Sequence, residues 1–202
     1  MASLLRQWRL QLAQSNALPL LAILGVFSGL LTGGTILLFR LAIEVPLDNA
    51  LPGQHHEYFE SLPIWLRFTL PMMGALLTAL IFLMLSPQSR IVGISHVLER
   101  IKHHQGYMPV SNFLAQFFGG IICAISGQST GREGPAVHLG AATGSIMSRK
   151  FSLPSNHTQL LLASGVAAAI SASFNTPIAG VIFAMEVIVM GYSFISLIPV
   201  IL

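Results

Sequence analysis

Apolar residues run through this chain in long blocks, and the polar positions between them fall into a few short clusters. The first block, Ala17 to Phe39, has no charged residue, and a helix needs roughly 20 apolar residues to cross a bilayer core. It predicts a spanning helix. A cleaved signal peptide would carry a shorter apolar core followed by a small-residue cleavage site, so this segment reads as a retained span. Phe68 to Ser86 predicts a second crossing, with Arg67 at its outer end and Arg90 beyond its inner end. The next blocks are irregular: Ile91 to Ile101 is too short to span, Val110 to Thr130 is broken by Gly and Ser, and 133–148 is small and mixed. Such segments are tolerated at membrane depth only where protein covers them or they line a watery cavity. Thr158 to Met185 is uncharged and divided at Asn175-Thr176-Pro177, which predicts two packed helices, the second with Pro177 in its first turn.

The polar clusters orient these elements. Residues 3–15 place Arg6 and Arg9 at helical spacing among apolar residues, as in an amphipathic helix at the membrane surface, and their charge assigns it to the cytoplasm. The domain division is therefore 1–16, the amphipathic helix, and 17–202, the membrane domain. Pro46 to Pro63 carries Asp48, Glu57 and Glu60 without Lys or Arg and reads as an external loop, whereas Arg149-Lys150 marks a cytoplasmic turn. Asn156-His157-Thr158 on that turn is expected to cap a helix, not to accept a glycan. Gly25, Gly29 and Gly33, and again Gly140 and Gly144, recur every four residues, a spacing that lets helices approach closely.

Composition agrees: 53% of the 202 residues are hydrophobic and 8% charged, against about a quarter charged in soluble domains. The net charge of +3 includes no long basic run, so nucleic acid is not an expected partner. The single cysteine, Cys123, lies in an apolar run and is assigned to packing. His96, His103, His104 and His138 are not at metal-ligand spacing; His103-His104 reads as a solvated turn and His138 as packing. No His-Glu-x-x-His motif is present, and neither an enzyme, a catalytic residue nor a metal site is expected.

One polar stretch stands between apolar blocks: Gly131-Arg132-Glu133-Gly134-Pro135. Its glycines let the backbone approach a ligand, and Pro135 suits the first turn of a helix running on through His138 and Gly144. Free amides at a helix start attract anions. Glu133 is itself an anion, so it competes with a diffusible one for the same place. The plainer alternative is a structural Arg132–Glu133 ion pair.

These residues, with Phe117-Phe118-Gly119-Gly120 upstream and Ala136-Val137-His138-Leu139-Gly140 downstream, resemble a signature of the CLC family of chloride channels and proton-coupled chloride exchangers. Ala167-Ala168-Ala169 and the run from Phe174-Asn175-Thr176-Pro177 to Met185-Glu186 are similar to another, in the family's order and spacing. The resemblance implies an all-α polytopic fold, a CLC-type bundle of tilted and broken helices corresponding to the family's N-terminal half, one half of its inverted repeat. It implies a homodimer in the bilayer with one pore per subunit, small anions such as chloride as substrate, and no cofactor. Glu133 is the gate it implies, with the amides of Arg132, Glu133 and Gly134 at an outer anion site.

Two departures modify this. Where the family has Gly-Ser-Gly-Ile-Pro, this chain has Ile91-Val92-Gly93-Ile94-Ser95, so Val92 replaces an anion-binding serine. The backbone of Val92, Gly93 and Ile94 is left to form the inner site, with Ser95 as an alternative donor. After Glu186, where proton-coupled members commonly carry an internal glutamate, stands Val187; Glu186 itself is assigned a structural role. The expectation is channel-like anion conduction through a glutamate-gated pore in a bacterial inner membrane, N-terminus cytoplasmic. A proton-coupled antiporter is the alternative, since some exchangers also lack that glutamate. The chain stops within an apolar run, which suggests truncation; if it is naturally short, a non-conducting membrane partner is the further alternative.

Overall fold

A computed structural model describes residues 18–50, 59, 62–189 and 194–201. The expected amphipathic helix at 1–16 lies outside the described residues. Among them the regular structure is helical throughout, as expected: α1 (Leu18–Ala50), α2 (Ile64–Met84), a 3₁₀ turn (Pro87–Arg90), α3 (Ile94–His103), α4 (Val110–Ile125), α5 (Glu133–Lys150), α6 (Ser155–Phe174), α7 (Pro177–Phe183), which runs into a π-helical turn (Ala184–Val189), and α8 (Phe194–Ile201). Three helices are long and apolar enough to cross a membrane, within Pro19–Asn49, Ile64–Met84 and Ser155–Phe174.

The first helix does not end where its charge begins. Arg40 and Glu44 pair one turn apart at 3.2 Å, which removes their net charge from the helix surface. Pro46 then sits inside the helix, so the expected loop does not begin before Ala50; most of 51–61 lies outside the described residues. A proline this close to a helix end costs one backbone hydrogen bond, and the Asn49 side chain donates to the Val45 carbonyl at 2.8 Å. At about 1.5 Å per residue the 33 residues reach ~50 Å, beyond a ~30 Å hydrocarbon core, so α1 tilts or emerges from it.

α2 is the outermost helix. Phe68, Met72, Met73, Leu76, Leu80 and Leu83 are all exposed, a face suited to lipid acyl chains, and Gly74 is its one buried residue. Its C-terminal carbonyls are met by Arg90, whose guanidinium donates to Leu83 and Leu85 at 2.8 and 2.9 Å.

The centre of the bundle is the pair α5–α6. Small residues along both helices allow the backbones to touch: a methyl group on Gly140 would lie 2.5 Å from the Gly165 carbonyl oxygen, and one on Gly144 would collide with the Leu161 carbonyl. The spacing read at Gly140 and Gly144 is thus close packing. The α1 series behaves differently: Gly25 abuts Pro199, Gly29 faces Ala168 at ordinary contact, and Gly33 faces open space. Val137, Ala141, Leu162, Val166 and Met185 form one apolar core, and Ile36, Phe39, Leu139 and Ala169 another between α1 and the pair.

α6 begins at Ser155, ahead of the expected cap at Asn156–Thr158. Thr158 instead donates its hydroxyl to the Pro154 carbonyl at 3.1 Å, because it lies a full turn inside the helix. The expected break holds: Asn175 ends α6 in the left-handed conformation and Pro177 opens α7.

Two ends of the bundle can be told apart. Leu21 and Leu24 of α1 pack on Met147 and Leu161, Arg149 lies 4.4 Å over the Tyr107 ring, and Arg90, Arg100, Lys102 and Lys150 follow the same helix ends. This is the basic end. At the other, Arg40 and Glu44 share a small cleft with Arg132 and Ser173, where α6 finishes and α5 starts.

Candidate functional site

α5 starts at Glu133, with Arg132 as its N-cap, so Pro135 falls in the first turn as expected. Pro135 is then the third helical residue, where its missing N–H would have had no intrahelical partner anyway. The first backbone bond returns from Ala136 to the Arg132 carbonyl at 3.1 Å. The amides of Glu133 and Gly134 are left without helix partners, and no side chain caps them. They face the space at the start of the helix, together with its positive dipole end.

The Glu133 side chain turns back over Gly131, so that any side chain at Gly131 would strike Oε2. A β-carbon there would have to push aside the end of that flexible side chain. Arg132 and Glu133 are both exposed and form no ion pair with each other or with any other described residue, so the structural-pair alternative is not what the fold adopts. Arg132 instead lines the cleft with Arg40 and Glu44, a space of about 10 Å³ that holds at most one water. Glu133 stays free, and it is the carboxylate at the helix start.

The second helix start belongs to α3. Gly93 is its N-cap at φ +90°, a conformation that L side chains rarely adopt. The first return bond runs from Val97 to the Gly93 carbonyl at 3.3 Å, so the amides before it, beginning with Ile94, have no helix partner. Asn112 of α4 donates to the Gln88 and Ile91 carbonyls, both at 2.8 Å, and pins the turn that leads into this start. Val92 is half-buried and brings no donor, so this start offers backbone amides, with Ser95 exposed in the first turn.

Farther along the chain, Val187 is half-buried against the apolar core in the π turn, and Glu186 beside it is exposed, with no ion pair among the described residues. His103 and His104 are exposed, as a solvated turn requires. Reading by spacing missed one arrangement. His96 of α3 and His138 of α5 are both buried, and their rings meet through Nδ1 and Nε2 at 3.1 Å. Positions separated by 42 residues on two helices carry no local signal of pairing.

The fold defines a class: a multi-pass helical membrane protein in which short and broken helices pack beside three of spanning length. A family model for the voltage gated chloride channel matches residues 73–202. The chain belongs to that family. The H(+)/Cl(-) exchange transporter ClcA of Vibrio vulnificus is 32% identical over 177 residues, covering 85% of this chain and 36% of the relative. A putative chloride channel protein, ClcB-like, of Ralstonia nicotianae is 34% identical over 135 residues, covering 63% of this chain and 31% of the relative. The chain therefore spans about a third of the length of these relatives. A crystal structure of a CLC-type fluoride/proton antiporter superposes with a TM-score of 0.72 at 24% identity, over 93% of this chain and 46% of that one, a likeness of fold.

Proposed function

We propose that this chain forms one half of a proton-coupled anion exchanger in which Glu133 is the external gate. The observation that carries the reading is a carboxylate unpaired with Arg132, lying over Gly131 at the start of α5, where the amides of Glu133 and Gly134 have no helix partner. Chloride and the ionised carboxylate compete for the same electropositive helix start. Protonation neutralises Glu133, removes its charge from the helix start and leaves the amides to the anion. Each opening of the gate then takes up a proton, which is the elementary step of coupling. Amides at Gly93 and Ile94, at the start of α3, serve the inner anion site, and those around Arg132 serve the outer one.

Exchange replaces the channel-like conduction expected from Val187. Relatives named as H(+)/Cl(-) exchangers, at 30–32% identity across most of this chain, support coupling. Val187 removes a carboxylate from one place; it does not remove every group able to carry a proton. A homodimer in a bacterial inner membrane, with the basic end and the N-terminus in the cytoplasm, completes the reading. An amphipathic segment at 1–16 fits that side, and 17–202 is the membrane domain.

Proteoliposomes loaded with chloride test this. On imposing a chloride gradient, protons are expected to move against their own gradient, and Glu133→Gln is expected to abolish that movement and flatten the pH dependence of chloride flux. Chloride flux without proton movement in the unmodified protein would return the reading to a channel.

A further inference from the structure

The basic end of the bundle holds a polar cavity that belongs to neither helix start described above. It measures about 320 Å³ and lies where the end of α3, the end of α5 and the start of α6 meet. His104, Gln105, Tyr107, Arg149, Ser152 and Ser155 stand around it, and Leu153 is the one purely apolar side chain in its lining. Gln105 and Ser152 follow the ends of α3 and α5 in the left-handed conformation, both at φ +53°, which turns the chain sharply on two of its sides.

The buried part of the lining is already committed. Ser145 accepts from the Met108 amide and donates to the Gly106 carbonyl, at 2.9 and 2.7 Å. Thr158 gives its proton to the Pro154 carbonyl, so in the bond between Ser148 and Thr158 it is Ser148 that donates. These bonds fix the walls by tying α5 to the α3–α4 connection and to the first turn of α6.

The exposed part is cationic and unneutralised. The Arg149 guanidinium lies 4.4 Å over the Tyr107 ring and has no ion pair among the described residues. An aromatic ring, unlike a carboxylate, holds the cation without cancelling its charge. No carboxylate lines the cavity. Between Arg100 and Met185 the chain has a single acidic residue, Glu133, at the opposite end of α5 and about 24 Å away along the helix. Glu99, the next nearest in sequence, lines a separate cavity with His96 and Arg100. Basic residues in a last helical turn ordinarily answer the helix dipole, and that accounts for Lys150, which does not line the cavity. Arg149 differs in standing at a preformed polar space. Ser155, at the far wall, opens α6, whose first return bond runs from Thr158 to Pro154 at 2.9 Å; the amides before Thr158 have no helix partner and no side-chain cap.

We infer that this cavity binds a phosphate group, carried on a lipid head or free in solution, with Arg149 as its paired cation and Tyr107 and Ser155 as hydroxyl donors. The planar guanidinium fork meets two phosphate oxygens at once, and hydroxyl donors suit the oxygens that remain. An occupant bridges the α3–α4 connection, the end of the gate helix and the start of α6, far from the gate itself. The site stands whether the chain exchanges or conducts.

Calorimetry on the full chain in detergent tests it, with two probes titrated separately: inorganic phosphate and water-soluble dihexanoyl phosphatidic acid. Chloride at about 0.15 M competes at the transport sites and shortens the reach of exposed charge to ~8 Å. Arg149→Gln is expected to weaken binding by about ten-fold or more, the loss of one charge-assisted pair. Lys150→Gln removes the same charge one residue outside the cavity and is expected to stay within about two-fold. Ser155→Asp sets a carboxylate against the phosphate while suiting a helix start, so it keeps the fold and is expected to weaken binding as R149Q does. Binding of phosphatidic acid alone assigns the site to a lipid head group; binding of inorganic phosphate, with or without the lipid, assigns it to the phosphate itself. Failure of both probes to bind, unchanged binding in R149Q or S155D, or a loss in K150Q equal to that in R149Q would overturn the proposal. None of these outcomes bears on proton coupling, so the exchange reading stands or falls separately.

Discussion

Gly140→Ala probes the contact on which the gate helix depends. The added methyl carbon would lie 2.5 Å from the Gly165 carbonyl oxygen and 2.8 Å from the Ala169 β-carbon. A carbon–oxygen contact relaxes to about 3.3 Å, so α5 and α6 would have to part by roughly 0.8 Å, and a gap of that size forfeits a quarter to a half of each dispersion well along the seam. The groups nearest the seam are backbone and a β-carbon, so rotamer changes cannot relieve it. Overpacking of this kind costs about 1–3 kcal/mol, and replacing glycine within a helix returns ~1 kcal/mol. Taking the upper part of that range, the net loss is about 2 kcal/mol, or ~6 °C in midpoint for a chain of this size. Gly34→Ala is the control: Gly34 lies in α1 with nothing within 4 Å, so the same substitution there is expected to be neutral or stabilising. Thermal unfolding in detergent, followed by the fraction remaining monodisperse, compares the two. A midpoint for G140A equal to or above that of G34A would refute the close-packed seam.

Ser145 accepts from the Met108 amide at 2.9 Å and donates to the Gly106 carbonyl at 2.7 Å while fully buried, so Ser145→Ala strands two backbone groups and is expected to lower stability by about 2 kcal/mol in a denaturation series. Asn112→Leu removes both bonds to the Gln88 and Ile91 carbonyls; because that turn presents the start of α3, anion affinity measured by calorimetry is expected to fall along with the melting midpoint. Gly93→Ala forces an L residue to φ +90°, at a cost of ~1–2 kcal/mol, and the same two measurements are expected to show it. Glu44→Gln breaks only the partly exposed pair with Arg40, and a change of under about 1 kcal/mol is expected on unfolding.

The two helix starts differ in what holds them. The start of α5 is built on its own strand of sequence: Gly131 makes room for the carboxylate, and Glu133 and Gly134 supply the amides. The start of α3 needs a partner, since its backbone turn is fixed by Asn112 from the next helix. Substitutions at a distance should therefore disturb the start of α3 more readily than that of α5.

Membrane residence, the all-helical class and the polar start of α5 were legible in the chain itself. Uncharged runs of spanning length have no other stable solvent than lipid or protein, and Gly-x-x-Gly-Pro chemistry is local, settled within one turn. The division at Asn175-Thr176-Pro177 was legible for the same reason: a left-handed residue and a proline end and begin helices wherever they occur. Tertiary structure decided what depends on residues far apart. α1 continues through Pro46 although composition reads as a loop there, since an ion pair and a side-chain bond one turn apart sustain it. Of the glycine series, Gly140 meets backbone and Gly33 meets nothing, although their spacing is alike, because identical periodicity does not say which face has a neighbour. The chain by itself assigned His138 to packing; only the approach of α3 to α5 brings His96 to its ring, with Arg100 donating to the far nitrogen of His96.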